Sequence, residues 1–422
     1  MYKTPFLSRR RWIQAGPGAL ALSSFAALAQ QQQEETPSSL KLKKDLAPSE
    51  KESSDPPVPT PPSERVGFAV VGLGRLSLEQ ILPAFGECKH ARLAALVSGT
   101  PDKLKTTAAH YGVPEKNLYS YETYDRLRDN GEVQVIYIVL PNSMHREYTV
   151  RGAQAGKHIL CEKPMATNVK ECEEMISACR GAGRKLMIAY RMQYEPYNRD
   201  IIRMARAAEL GTLKSFTSEN CQTQGDPTQW RLKKTMAGGG SLPDIGIYCL
   251  NASRYITGEE PVGVSGHIHS TPGDPRFREV EEAVAFTLQF PSGVVANCFT
   301  SYGVHDSQRY RVGFADGWID LDPSYPYQGQ RMRVAKKVSA QAEEIAERQL
   351  EHKNQFALEM DHMAQCVRQN KQPHTPGEEG MQDHRIMAAI YESAREGRLV
   401  KLPPITAKDA FRGPAPDNGK GS

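Results

Sequence analysis

Three side chains, one of them far ahead of the other two in the chain, carry the chemistry this sequence offers. Lys163 stands in Ile159-Leu-Cys-Glu-Lys-Pro164, a short apolar run that ends in an acid, a lysine and a proline. A nearly continuous apolar run reads as a parallel strand buried on both faces. Open α/β sheets bind ligands beyond the carboxyl ends of such strands. A solvated turn would have the same composition, so the tripeptide alone does not decide. Asp244 and Tyr248 follow Gly238-Gly-Gly-Ser241 and Leu242-Pro243. Proline is tolerated near a helix start and Ser241 is the expected cap. The acid and the phenol, four residues apart, then share one helical face. Free tyrosine titrates near about pH 10, and a neighbouring ammonium such as Lys163 would make it a usable general base. An exposed acid beside a half-buried aromatic gives the same spacing.

The elements that must hold these groups alternate strand and helix over 66–190. Val66–Val71 reads as a buried strand that runs into Gly72-Leu-Gly74-Arg75-Leu76-Ser77 and a helix beginning at Leu78. The first two glycines fit the dinucleotide fingerprint, where a tight turn and close phosphate approach exclude a side chain. The third position is Ser77, and the helix N-terminus offers its amides to a pyrophosphate. The second strand, Ala91–Val97, ends in Ser98, with Lys103 close behind. An acid at that strand end bonds a ribose 2′-hydroxyl, whereas a small hydroxyl with a cation suits a 2′-phosphate, so the expected cofactor is NADP. Asp102, the competing acid, has an ordinary place in the next helix's first turn. Further strands are expected at Val133–Leu140, Lys157–Pro164 and Leu186–Tyr190, and helices at Glu147–Ala155 and Val169–Gly181. His145 reads as a helix-start residue.

From Tyr194 the strands alternate and carry aromatics: Leu213–Cys221, Val262–Ser270, Val280–Phe290, Val294–Tyr302 and Arg309–Leu321, with helices at Gln341–Asn370 and Glu378–Arg395. Such alternation suits an antiparallel sheet with one covered face. The expected fold is an α/β chain. A Rossmann dinucleotide-binding domain over 65–190 precedes an α+β substrate and oligomerisation domain over 191–422, built on a large, mainly antiparallel open sheet.

The first 29 residues stand apart. Arg9-Arg-Arg11-Trp12 precedes an apolar stretch from Ala15 to Leu28 that closes in Ala27-Leu-Ala29. That is a basic region, an apolar region and a small-residue cleavage site, and the paired arginines suggest twin-arginine export to the periplasm or beyond. The formal charge of +4 comes from 53 basic and 49 acidic residues, and Lys3, Arg9, Arg10 and Arg11 all lie in this leader. Without it the chain is electrically balanced, which argues against a nucleic-acid partner. The apolar stretch is too short for a membrane span, and no other membrane anchor is expected. Residues 30–64 form a glutamine- and proline-rich arm, either a spacer or a segment that docks on a neighbouring subunit. The eight cysteines sit inside expected strands and helices with no CxxC spacing, so free buried thiols are expected. His267 and His269 share one face of a strand, and Glu359 and His362 one turn of a helix. Neither pair has the further ligands a metal site needs.

Together, Gly72-Leu-Gly74, Glu162-Lys-Pro164 and Asp244-Ile-Gly-Ile-Tyr248 resemble the Gfo/Idh/MocA oxidoreductase family, most closely its glucose-fructose oxidoreductase branch. That branch has tyrosine where most of the family has histidine. The likeness extends through Leu140-Pro-Asn-Ser143, Gln229-Trp-Arg231, Gly258-Glu-Glu-Pro261 and Pro376-Gly-Glu-Glu-Gly-Met-Gln-Asp383. The resemblance implies a catalytic and sugar-contacting set of Lys163, Asp244 and Tyr248. It also implies contacts to a tightly held NADP from Gly72, Leu73, Gly74, Arg75 and Leu76 at the turn, and from Ser98, Lys103 and Tyr121 beside it. Further contacts are implied from Leu140, Pro141, Asn142, Glu162, Lys163 and Arg191, and from Trp230, Arg231 and Tyr327. His145 and Tyr194 are implied at the nicotinamide and sugar end. The implied activity is oxidation of an aldose at C1 to the lactone, with the hydride passed through NADP to a second sugar such as fructose, giving sorbitol. A homo-oligomer, dimer or tetramer, formed through the sheet and the arm, is implied as well. An aldose dehydrogenase or aldose–aldose oxidoreductase with dissociable NADP is the alternative, and a non-catalytic sugar-binding protein a remote one. The chain departs from the branch at Arg75-Leu-Ser77, where its members carry Lys-Tyr-Ala, and in a shorter loop over 221–230.

Overall fold

The computed structural model describes residues 64–416, so the leader and nearly all of the arm lie outside the described residues. The first sheet is built from β1 (Val66–Val71), β2 (Ala91–Val97), β3 (Leu118–Tyr119), β4 (Val135–Ile138), β5 (His158–Glu162) and β6 (Leu186–Ala189). All its neighbours are parallel, in the order β3-β2-β1-β4-β5-β6. This is the doubly wound order whose chain reverses beside β1, so the fingerprint turn and the β4 loop open onto one crevice. The helices crossing over are α1 (Leu82–Ala84), α2 (Pro101–Tyr111), α3 (Asn142–Gln154) and α4 (Val169–Gly181). Each has local reasons to form. Pro101 stands in the first turn of α2, and Gly112, at φ +66, ends it. Asn168 caps α4 by accepting from the Glu171 amide.

Next come α5 (Pro196–Arg206), β7 (Leu213–Cys221), α6 (Lys234–Ala237) and α7 (Ile247–Thr257). The second sheet adds β8 (Gly263–His269), β9 (Ala283–Gln289), β10 (Val295–Ser301), β11 (Ser307–Phe314), β12 (Gly317–Leu321), β13 (Met332–Lys337) and β14 (Glu343–Arg348). The chain closes with α8 (Gln355–Arg368), α9 (Gly377–Glu396) and β15 (Val400–Lys401). The sheet order is β14-β13-β12-β11-β7-β10-β9-β8-β15, antiparallel except at β7–β10. Its covered face holds Phe216, Leu288, Ala296 and Val312 in the core.

Three expectations are corrected. Arg309–Leu321 is a hairpin, not one strand: Phe314 pairs with Gly317 across the two-residue loop Ala315-Asp316, which turns the chain back on itself. The helix expected over 341–370 is a strand followed by α8. The Glu- and Ala-rich run favours helix locally, but β13 opposes it with cations: Arg333 faces Glu347, Lys336 faces Glu344 and Lys337 faces Glu343. Asn354 then starts α8 by accepting from the Phe356 and Ala357 amides. α3 begins at Asn142, five residues before the expected Glu147, because Pro141 pre-sets its entry. α8 lies against the first sheet, with Phe356, Met360 and Met363 in the same core as Phe68 and Val70.

All eight cysteines are free and buried, and no helix among the described residues is long and apolar enough to cross a membrane. His267 and His269 are exposed on β8, and no group of three or more potential metal ligands occurs among the described residues.

Candidate active site

The end of β5 carries Lys163, a helical turn over Leu242–Gly246 carries Asp244, and α7, into which that turn leads, carries Tyr248. Lys163 Nζ donates to the main-chain carbonyl of Asp244 at 2.6 Å and lies 3.7 Å from its carboxylate. The same ammonium sits 4.5 Å from the centroid of the Tyr248 ring. The three residues read from the sequence as one constellation are therefore one in space. The opening of their helical segment differs from expectation. Ser241 makes no capping bond, and the buried Glu281 carboxylate accepts instead from the Gly240 and Leu242 amides at 2.8 and 3.0 Å. Gly240 is required there, since a Cβ would meet the Glu281 carbonyl at 2.0 Å.

The Asp244 carboxylate accepts from Tyr302 at 2.7 Å and from Arg231 Nε at 3.2 Å. Burial pushes this carboxyl up, but the charges of Arg231 and Lys163 and the Tyr302 bond outweigh it and hold it below its ordinary value. Asp244 is thus a fixed negative charge that meets two cations. Arg191, expected to touch cofactor, supports Tyr248. Its Nε donates to the phenol oxygen at 3.2 Å, Nη1 to Gln355 at 2.5 Å and Nη2 to the Tyr325 carbonyl at 2.7 Å. Its plane lies 4.7 Å from the Tyr327 ring centroid, so Tyr327 reaches the site through Arg191. Beneath Tyr248 is a small cavity lined by Lys163, Tyr190, Met192, Asn251 and Tyr255.

α7 is anchored from behind. The fully buried Arg254 guanidinium bonds Glu260, Glu379 and Asp383, while Arg412 pairs with Glu379. This ties the helix bearing Tyr248 to α9.

The residues at the fingerprint turn suit a dinucleotide. Gly72 has φ +94, and a Cβ there would strike the Val139 carbonyl at 2.2 Å, whereas nothing lies within 4 Å of a Cβ on Gly74. The turn is therefore closed below and open above, where a phosphate approaches the helix start. Ser77, the departure from the fingerprint, is fully buried and donates to the Gly72 carbonyl at 2.5 Å. It does the work of a small third residue with a hydrogen bond added. Ser98 sits at the end of β2, and the Tyr121 ring covers Gly99, whose Cβ would meet it at 2.9 Å. Lys103 reaches the turn at the Leu73 carbonyl, 3.3 Å away. Arg75 pairs with Glu79, and Leu76 is half-buried beside it. Trp230 stacks against the Arg231 guanidinium at 4.7 Å, and Arg231 in turn meets Asp244.

Three expected site residues have buried partners within the protein. Tyr194 is buried between His362 and His374, with its hydroxyl on Thr375 at 2.9 Å, so it faces the core behind β6. His145 is fully buried, with Nε2 2.8 Å from the Leu140 carbonyl and Nδ1 3.0 Å from the Pro164 carbonyl. It packs between the β4 and β5 loops. The Asn142 amide donates to the Ala237 carbonyl at 2.9 Å. Leu140 is buried and Pro141 half-buried at the β4 end. No local signal points to Tyr302, Tyr325 or Gln355, because nothing nearby in the chain links them to Asp244 or Arg191.

Comparison with known proteins places this geometry. Residues 66–190 match the oxidoreductase family described as an NAD-binding Rossmann fold, and residues 204–402 its C-terminal alpha/beta domain. A D-xylose 1-dehydrogenase [NADP(+)] of Haloarcula marismortui is 31% identical over 343 residues, 80% of this chain and 93% of that protein. A scyllo-inositol 2-dehydrogenase (NAD(+)) of Bacillus subtilis is 26% identical over 80% of this chain and 96% of its own length. Among solved structures, the aldose-aldose oxidoreductase from Caulobacter crescentus complexed with glycerol superposes with a TM-score of 0.77 at 49% identity. It covers 80% of this chain and 100% of its own.

Proposed function

The chain belongs to the Gfo/Idh/MocA oxidoreductase family, as an NADP-dependent enzyme acting on CH–OH groups of sugars, and from that premise we propose that it couples two sugars. An aldose is oxidised at C1 to its lactone, and a second aldose is reduced with the same electron pair. The observation that carries this reading is the gathering of Lys163, Asp244 and Tyr248 into one cluster at the carboxyl end of β5, with Lys163 bonded to Asp244 and lying over the Tyr248 ring. The 49% identity to an aldose-aldose oxidoreductase supports the choice of an aldose as acceptor.

NADP, held by the Gly72–Leu76 turn with Ser98, Lys103 and Tyr121 beside it, supplies the hydride acceptor and donor when bound. The protein's own groups handle the proton and the charge. Tyr248 takes the C1 hydroxyl proton, and the Lys163 ammonium, fixed by the Asp244 carbonyl, stabilises the developing oxyanion. Arg191 meets the charge that forms on the Tyr248 oxygen. Asp244 keeps Lys163 and Arg231 in place. In the return half, Tyr248 gives the proton back to the carbonyl oxygen of the second sugar.

The tyrosine at 248 and the proline-rich arm support a second reading, in which fructose is the acceptor and sorbitol the product. Both readings include a cofactor retained between turnovers, export through the leader 1–29, and a homo-oligomer built through the open sheet face and the arm. Cleavage after Ala29 is checked by N-terminal sequencing of exported protein, and light scattering of a monomer would refute the assembly. The activity is tested on protein purified without added NADP(H), followed by nicotinamide absorbance. A rise with an aldose and a fall on adding a second aldose is expected, whereas a fall with fructose alone selects the second reading. No rise until NADP is supplied would refute retention and leave an ordinary aldose dehydrogenase, the activity named for the Haloarcula relative.

A further inference from the structure

Glu359 lies outside the constellation but directly behind it. It is fully buried on α8, one turn beyond Gln355, the residue that holds Arg191. Its Oε1 is 3.0 Å from the hydroxyl of Tyr137 on β4, and that hydroxyl is 2.7 Å from Oε1 of Glu162 at the end of β5. Glu162 Oε2 in turn accepts the main-chain N–H of Lys163 at 3.2 Å. All three side chains are buried. A phenol has one proton to donate, so Tyr137 satisfies one carboxylate. Two ionised carboxylates on this hydroxyl would leave lone pair facing lone pair in a buried site, a costly arrangement. One carboxyl must therefore carry a proton of its own. Glu162 has the Lys163 amide for a partner and stands in the field of Lys163 and Arg191. Glu359 Oε2 is buried without any partner.

We propose that Glu359 is a neutral carboxylic acid that donates to Tyr137, which donates to an ionised Glu162, so that one proton shared across the two carboxyls fixes the backbone of Lys163. Glu359 is then a positioning residue for the lysine, a role that rests on the catalytic reading of Lys163. Burial pushes both carboxyls up, and Glu162's charge helps hold Glu359 well above the usual carboxylate range. The other groups facing the pair are Arg191 beyond β6, Lys163 beyond β5, and the buried Tyr194 phenol. His362, one turn further along α8, is held neutral, its pKa pushed down by burial to about 3. As pH rises, ionisation of Glu359 sets two carboxylates against one hydroxyl and loosens the strand end that presents Lys163.

The test is infrared difference spectroscopy of the full chain at mildly alkaline pH, a readout independent of turnover. Wild type minus Glu359→Gln is expected to show the C=O stretch of a protonated carboxyl. Carboxylate bands alone would overturn the proposal, as would a protonated band that vanishes in Glu162→Gln but persists in Glu359→Gln. The kinetic arm compares side chains. Glu359→Ala is expected to lose about tenfold in hydride-transfer rate, the worth of one buried hydrogen bond. Glu359→Gln, a neutral donor, recovers most of that loss and removes the alkaline decline. A Gln variant as slow as the Ala variant overturns the positioning role. Should Glu359→Ala fail to fold, Tyr137→Phe replaces it: the Glu359 band must shift when its acceptor is removed, and an unshifted band refutes the relay. If the band behaves as expected while Lys163→Ala remains active, the proton sharing stands and the catalytic reading fails.

Discussion

Replacing Arg191 by methionine separates the two roles this residue can have. The guanidinium donates to the Tyr248 phenol at 3.2 Å, to Gln355 at 2.5 Å and to the Tyr325 carbonyl at 2.7 Å. Methionine keeps much of the volume against Tyr327 and Phe356 but removes every donor. A hydrogen bond from a charged donor is worth about 1.5–3 kcal/mol net. Loss of the Tyr248 bond is therefore expected to slow hydride transfer about 10- to 150-fold. The orphaned carbonyls of Gln355 and Tyr325 cost about 1–3 kcal/mol each, so the variant is expected to be roughly 2–6 kcal/mol less stable in a urea titration. NADP affinity, measured by fluorescence quenching, is expected to change little. The assay is a single-turnover reduction of bound NADP by saturating aldose in a stopped flow. An unchanged rate together with a large loss of NADP affinity would refute the role assigned to Arg191 and return it to the cofactor contacts expected from the sequence.

The two fingerprint glycines are expected to fail differently. Gly72→Ala, at φ +94 with the Val139 carbonyl 2.2 Å from its Cβ, loses fold stability as measured by thermal melting. Gly74→Ala, with open space around its Cβ, melts like wild type but weakens NADP binding in titration calorimetry. Arg254→Ala, which strands Glu260, Glu379 and Asp383, is expected to cost about 3–5 kcal/mol in denaturant titration. A loss below about 1 kcal/mol would show that α7 is anchored by other contacts. Acid is expected to destabilise the fold well above the carboxylate range. Burial depresses His374 and His384 from 6.5 to about 4, so the unfolded chain binds more protons between those values. The stability they contribute is whole above pH 6.5 and is lost as pH falls toward 4, by at most roughly 3 kcal/mol for each. A flat stability profile across that window would refute the neutral, buried assignment.

Where local pattern and tertiary demand agree, the elements were legible in the sequence. β1, β2, α4 and β7 have the boundaries read from their apolar runs and caps. β14 was illegible, because Glu343–Arg348 favours helix until the cations of β13 face it. The meeting of Lys163, Asp244 and Tyr248 followed from residue types and resemblance, but their supports did not. Tyr302, Tyr325, Gln355 and Glu281 come from four distant segments whose local sequence serves strand, loop or helix equally well without the site. Where Tyr194 and His145 pack, against His362 and His374 and between the β4 and β5 loops, is a matter of rotamer and tertiary contact that one-dimensional spacing does not encode. Ser77 looked like a defect in the fingerprint. Its bond to the Gly72 carbonyl makes it a support of the turn.

The central claim is that Tyr248 and Lys163 act on the sugar proton and its charge. The most direct measurement is single-turnover hydride transfer in Tyr248→Phe and Lys163→Ala, with NADP binding measured on the same samples. Both variants are expected to bind NADP as wild type does and to transfer hydride slower by at least about a hundredfold, the scale of general acid–base catalysis. Hydride transfer at the wild-type rate in either variant would contradict the account.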